Sequence, residues 1–249
     1  FGTIIGGFLN VVIYRLPTML KHKWHNECVE LLGDNSCPLI TTKINLLHPS
    51  SHCPMCKAKI PFWSNVPIVG YFLLNGRCFN CKNKISIRYP LVELITGLLF
   101  VITGYLTNDI FILPALLVFI SFTICLVLID YDTFILPDEL TLTLLWLGLL
   151  CNIQGLIAGN LAAAVIGAAV GYMLFWSVFW VFKLITHRDG MGYGDFKFLA
   201  AILAWVGYHG LIPIILVASM LGIIYFIFLR IVMLVVNKSE VPDLFKHQI

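Results

Sequence analysis

Charge is what this chain has least of. Only 12% of its 249 residues are Asp, Glu, Lys or Arg, about half the share of a soluble domain of this length. With 59% hydrophobic residues and a mean hydropathy of +0.92, a water-soluble globule is excluded. Bilayer rules apply instead, under which backbone polar groups are satisfied inside helices or closed barrels. There is no P-loop, no His-Glu-x-x-His and no visible Ser-His-Asp arrangement, so nucleotide and soluble-hydrolase chemistries lack their usual parts. The net charge of +3 is small, and nothing in it points to nucleic acid. The chain also lacks an opening methionine. It starts at Phe1, and its first apolar run, 1–14, falls short of the ~20 residues of a spanning helix. That run reads as the tail of a first helix whose start is missing. A signal peptide would need a basic start and a small-residue cleavage site, and neither is visible.

What charge there is lies unevenly. Ten of the 16 Lys and Arg fall within residues 15–88, opposed only by Glu27, Glu30 and Asp34. Apolar runs with short gaps make up the rest, with spans expected near 91–107, 111–129, 140–158, 161–185, 196–208 and 211–236. The 196–208 segment is short and reads as tilted or partial. The expected fold is an all-α polytopic membrane protein of about seven spans, the first truncated, with a small cytoplasmic zinc-ribbon-like insertion. The expected division is a helix remnant at 1–14, a zinc-binding domain at 15–88, a membrane core at 89–240 and a polar tail at 241–249. The positive-inside rule places the basic block in the cytoplasm. Threading the spans from there brings Asp130, Lys183, Arg188, Asp195, Arg230 and Lys238 to the same face. The orientation was set by one loop, so the agreement of the later charges is an independent check.

Four of the eight cysteines form two Cys-x-x-Cys pairs, Cys53/Cys56 and Cys78/Cys81. Each pair supplies two thiolates from one tight turn, and two such turns close a tetrahedral zinc site with no open position, hence a structural one. A polar block of this size has little core of its own, which gives a metal staple its physical purpose. The other reading is a redox or free dithiol pair. Cys125 and Cys151 sit in apolar runs and read as small buried hydrophobes; Cys28 and Cys37 have no assignment. Gly167-x-x-x-Gly171 reads either as a close helix contact, which permits pairing into a homo-oligomer, or as a plain small-residue position.

Two carboxylates stand out. Asp130 follows an apolar run, and Asp195 closes Gly190-Met191-Gly192-Tyr193-Gly194-Asp195. Acids at the ends of spanning helices suggest function unless they face protein or water. If the two meet, one holds a proton while the other activates water. The alternatives are two helix caps, or an ion pair with Lys197 or Arg188. The alternating glycines allow close backbone approach or positive φ; they follow no strand and lack the Rossmann spacing. Of the neighbouring acids, Asp138 reads as the N-cap of the next helix with Glu139 in its first turn. Asp132 reads as a solvated loop acid or a contact for a basic substrate.

At these residues the chain resembles the type IV prepilin peptidases, a family of bifunctional leader peptidases and N-methyltransferases. The resemblance rests on Gly6-Gly7-Phe8-Leu9-Asn10-Val11-Val12-Ile13-Tyr14-Arg15-Leu16-Pro17, both Cys pairs, Arg88-Tyr89-Pro90-Leu91-Val92-Glu93, the acidic motif Asp130 to Asp138, and Gly190 to Lys197. It implies that Asp130 and Asp195 are the catalytic pair. The implied substrate is the N-terminal segment of a prepilin or type II secretion pseudopilin. Cleavage would follow a glycine that ends a short basic leader, at the cytoplasmic face of the bacterial inner membrane. Methylation of the new N-terminus, usually phenylalanine, would use S-adenosylmethionine. Gly76 matches a family glycine linked to methylation and Glu93 a family acid at a helix start. Asp132, Asp138 and Glu139 would attract the basic leader. Gly7 stands where the family often has serine, and the family's Pro-Phe-Gly-Pro type motif and last span are not seen. A narrower reading is a peptidase without methyltransferase activity, and two readings of other classes compete: a proton- or cation-coupled transporter, and a zinc-ribbon membrane adaptor.

Overall fold

The computed structural model describes residues 1–33, 38–40, 44–53, 55–157, 160–188 and 190–235. Cys37, Lys238 and the 241–249 tail lie outside the described residues. Among those residues the secondary structure is helical, with no strand beyond two isolated bridges. The helices are α1 (Gly2–Leu32), α2 (Val69–Leu73), α3 (Arg88–Leu106), α4 (Ile112–Thr133), α5 (Asp138–Ile153), α6 (Leu161–Thr186), α7 (Tyr193–Val206) and α8 (Leu211–Val235). Local chemistry marks several ends. The Asn160 side chain accepts from the Ala162 amide at 2.9 Å to cap α6, and α1 ends at Gly33 with φ +60, as a glycine permits at a helix C-terminus.

Two expectations change. Five helical segments are long and apolar enough to cross a membrane: α1, α3, α4, α6 and 208–231. The other two expected spans are the shorter helices α5 and α7, with 16 and 14 residues, about 24 and 21 Å long beside a hydrocarbon core of about 30 Å, so the count of seven is approximate. Second, α1 does not stop where the apolar run stops. It continues through Pro17 to Leu32. Proline removes one intrahelical bond, but the residues beyond it (Met19, Leu20, Lys21, Lys23, Glu27, Glu30) are good helix formers. A change of polarity ends the apolar run at residue 14 without ending the helix.

The bundle has two halves that share α4. In one, Leu9, Val12 and Ile13 of α1 pack with Val92 of α3 and Cys125 and Ile129 of α4. Small residues bring α1 and α3 together: a Cβ on Gly6 would lie 2.7 Å from the Glu93 Cα, and one on Gly97 2.8 Å from Thr3. In the other half, Leu126 of α4, Leu144 of α5, and Ala201 and Trp205 of α7 form the core. α7 is its centre: Phe196, Leu199, Ala200, Ala201, Leu203, Ala204 and Trp205 are all buried. Its fit to α5 is tied by polar groups, with Trp205 Nε1 donating to the Leu144 carbonyl at 2.8 Å and Asn152 Nδ2 to the Ala204 carbonyl at 3.0 Å. α8 is exposed along its apolar window, the surface a lipid-facing helix presents.

Candidate active site and metal centre

The position of the two aspartates follows from helix periodicity. On α4, Ala115, Phe119, Phe122 and Leu126 pack on the second core, and Asp130 is the next position on that stripe, four residues on. On α7, Phe198, Ala201 and Trp205 face the same core, and Asp195 precedes Phe198 by three. The rings of Phe119 and Trp205 meet at 5.1 Å between centroids. From that rung Asp130 lies about 16 Å along α4 and Asp195 about 15 Å along α7 at 1.5 Å per residue. α4 runs towards the rung's far end and α7 runs away from it, so both carboxylates reach the same level at the same end of one seam.

Both are half-buried, and they feel each other. Burial first, and then the charge of Asp130, push the Asp195 carboxyl above the usual carboxylate range, partly offset by a hydrogen bond from the Gly192 backbone. Among the described residues no cation lies within ion-pair range of either.

Their neighbours are treated differently. Arg88 donates to both oxygens of Asp132 at 2.7 Å each, and Lys197 donates to both oxygens of Asp138 at 2.7 and 2.8 Å. This corrects three readings. Asp132 is not a free loop acid: it lies in the last turn of α4 and ties it to α3. Asp138 is not an N-cap: Pro137 occupies that position, and Asp138 makes no cap bond. Lys197 does not pair with Asp195. Two of the acids proposed to attract a basic leader are therefore already neutralised. No simple sequence signal revealed these pairings, because the partners are 44 and 59 residues apart.

The glycine string acts through close approach, not through positive φ, which none of Gly190, Gly192 and Gly194 adopts. A Cβ on Gly194 would lie 2.7 Å from Leu136, and one on Gly190 2.5 Å from the Phe182 ring. The bare backbone lets α7 start hard against the α4–α5 turn. Asp195 is also recessed. Phe179 of α6 meets Tyr193 and Phe196 at 5.1 and 5.7 Å, and α6 continues seven residues to Thr186, about 10 Å beyond that level.

Cys53, Cys56, Cys78 and Cys81 come together with all four sulfurs within 4.8 Å of one another. Cys53 and Cys81 are 3.7 Å apart, Cys56 and Cys78 4.0 Å. Tetrahedral zinc with 2.3 Å bonds needs sulfurs about 3.8 Å apart, so the four could hold a metal ion. The two turns are near copies. Cys53 N–H donates to Ala58 and Cys78 N–H to Asn83, while Lys57 and Lys82 donate back to Cys53 and Cys78. Both lysines adopt positive φ, 56 and 58. The Ala58 backbone bond foremost holds the Cys56 thiol down to about 6, which favours the thiolate a metal takes up.

Gly76 and Glu93 meet α2 at opposite ends. Glu93 Oε2 accepts from the Ile68 amide at 2.7 Å, just before α2. Gly76 follows α2 with φ +65 and would place a Cβ 2.8 Å from the Tyr71 hydroxyl, so the fold itself requires this glycine. Gly167 and Gly171 are consumed inside the chain, against Gly207–Tyr208 and Leu203 of the α7 side, so they offer nothing to a second copy. Arg15 went unremarked as a site residue. It is buried, and donates to the carbonyls of Asn45, Leu46 and Pro49 at 3.1, 3.2 and 2.6 Å, fastening the insertion to α1.

Fold and site together define a polytopic helical membrane protein with four thiols that could hold a metal ion and, at one end of its bundle, a pair of carboxylates without a cation among the described residues. Residues 1–107 match the family described as Bacterial Peptidase A24 N-terminal domain, and residues 117–227 match the Type IV leader peptidase family. The chain belongs to that leader peptidase family. It is similar to the prepilin leader peptidase/N-methyltransferase of Neisseria gonorrhoeae, 44% identical over 92% of this chain and 80% of the relative. The proteins of the same name from Pseudomonas aeruginosa (44%, 96% and 80%) and Dichelobacter nodosus (45%, 90% and 79%) are similarly related. No solved structure matches the chain.

Proposed function

We propose that this chain removes the short basic leader of type IV prepilins and type II secretion pseudopilins, using Asp130 and Asp195, and then N-methylates the exposed residue, usually phenylalanine. The observation that carries the peptidase assignment is the sorting of the acids: Asp132 and Asp138 each hold a cation, while among the described residues Asp130 and Asp195 hold none and sit level on one seam. Two adjacent carboxyls cannot both ionise easily, so between their two macroscopic pKa values they share one proton. The carboxylate takes a proton from water as the water attacks the scissile carbonyl. The protonated partner gives its proton to the carbonyl oxygen; the first aspartate then passes the water-derived proton to the leaving amine as the partner takes its proton back from the collapsing gem-diol, which restores the shared proton. The reaction belongs at the cytoplasmic face of the bacterial inner membrane, where the basic block of the sequence puts this end of the bundle. The names of the curated relatives support both activities.

In this reading the four cysteines hold structural zinc and fold the insertion. S-adenosylmethionine would supply the methyl group. Glu93 fits a role there: one oxygen is fixed by the Ile68 amide, and among the described residues Oε1 accepts no bond. Gly76 does not fit as a contact, since the Tyr71 ring fills the space beside it.

The test is direct. Detergent-solubilised protein incubated with a prepilin yields the shortened product, and Asp130→Asn or Asp195→Asn leaves the substrate intact. Full cleavage by either variant removes the dyad.

A further inference from the structure

Lys197 is the basic residue nearest in sequence to Asp195, two positions along α7. Its ammonium nevertheless lies on Asp138 of α5, bonded to both carboxylate oxygens at 2.7 and 2.8 Å. Residues two apart on a helix do not face each other, but a lysine stem is long and its rotamers interchange readily when no partner holds them. Without Asp138 the ammonium would be a mobile cation at the mouth of a site whose two carboxylates have none.

We propose that Asp138 is a positioning residue of the peptidase: it withholds the Lys197 ammonium from Asp195, so that the Asp130–Asp195 pair keeps its shared proton. Lys197 in turn screens the Asp138 charge from the pair. The inference rests on the dyad reading above and adds a task that neither Asp138 nor Lys197 has in it. The charged and titratable groups at this end are Tyr131, Asp130 and Asp132 of α4, the last held by Arg88 of α3; Asp138 and Glu139 of α5; and Lys183 of α6 with His187 and Arg188 beyond it. Tyr193, Asp195 and Lys197 of α7 follow, with His22 and Lys23 of α1, which line a cavity beside Glu139. Asp189 lies outside the described residues. Lys183 lies over the rings of Phe179 and Trp180, which leaves Lys197 as the cation with the shortest path along its own helix to Asp195.

The two single substitutions then have opposite signs. Asp138→Asn releases the ammonium, which stabilises ionised Asp195, so the bell-shaped pH profile of leader cleavage moves to lower pH by about one unit, with cleavage at neutral pH falling severalfold. Lys197→Met leaves the Asp138 charge unscreened and moves the profile to higher pH. The double variant Asp138→Asn/Lys197→Met has neither charge, and its profile returns to that of the parent. Lys197→Arg keeps the cation on Asp138 and leaves the profile in place.

The measurement is prepilin cleavage against pH for the parent and these four variants, each solubilised as the full chain. Opposite shifts with recovery in the double variant uphold the proposal. An unmoved profile in both single variants, shifts in one direction, or a double variant no better than Asp138→Asn overturns it and leaves the pair a clasp between α5 and α7. Absence of cleavage by the parent, or cleavage by Asp195→Asn, would instead strike the dyad reading itself, so the two failures are distinct.

Discussion

Asp132 follows Asp130 by two residues on α4, yet the two carboxylates have opposite surroundings. Asp132 is gripped through both oxygens by Arg88, while Asp130 continues the apolar stripe that meets α7. A helix turns about 200° over two residues, so one acid points to α3 and the other to the seam. The same division recurs across the site between Asp138 and Asp195. It separates the acids that hold the helices together from the two that hold no cation among the described residues.

The first prediction joins stability to activity. Burial and the neighbouring Asp130 charge raise the Asp195 carboxyl. A carboxyl raised on folding contributes stability at low pH and loses it as pH climbs through its folded value. At neutral pH its ionisation therefore works against the fold. Asp195→Asn, neutral and of the same shape, is expected to unfold at a higher temperature than the parent at pH 7 while failing to cleave prepilin. The difference should shrink on acidification. Thermal unfolding in detergent across pH checks this; a lower midpoint for the variant at neutral pH would contradict it.

Cys78→Ser should empty the thiol cluster. Cys78 lies 4.0 Å from Cys56 and its turn holds two of the four ligands. A four-coordinate structural metal loses its geometry with one ligand gone. Metal analysis of the purified variant should show zinc falling from about one per chain to well below, with the insertion cleaved faster by protease. Unchanged zinc would sink the assignment.

Gly148→Ala probes the seam from α5. A Cβ there would sit 2.5 Å from the Trp205 ring, whose Nε1 is tied to Leu144. The ring cannot yield without losing that bond. Overpacking of this kind costs about 1–3 kcal/mol, and displacing Trp205 also displaces α7, the helix that carries Asp195. Unfolding and cleavage assays should both register the change.

Arg15→Met tests the fastening of the insertion. The guanidinium serves three carbonyls, those of Asn45, Leu46 and Pro49. Stranding them costs about 1–3 kcal/mol. The effect should be local: faster proteolysis within residues 44–53, with the zinc content held by the four cysteines intact.

Much of this was legible in the chain itself. Helical class, the cysteine cluster and the placement of Asp130 and Asp195 at one end of the bundle follow from apolar runs, from Cys-x-x-Cys spacing and from charge asymmetry. What escaped was tertiary. The shortness of α5 and α7, 16 and 14 residues, was hidden because hydropathy marks apolar runs and not where a helix begins or ends. The continuation of α1 to Leu32 was not legible because hydropathy reports polarity, not backbone geometry. Asp138 before an apolar run had the pattern of a cap, and only the arrival of Lys197 from 59 residues away shows its real partner. Glycines 190 and 194 signalled an unusual backbone correctly, though what they admit are the side chains of Phe182 and Leu136.

The shortness of α7 carries a last consequence. Since α6 overhangs its first turn by about 10 Å, the carboxylate of Asp195 stands at the bottom of a step, beneath the level where the taller helix meets solvent. A hydrolase working among lipids must be supplied with its second reactant, and on the proposed aspartate reading such a step would let bulk fluid descend to the scissile bond. The extended tail of a membrane-anchored polypeptide can enter by the same stair, without either partner leaving its own phase.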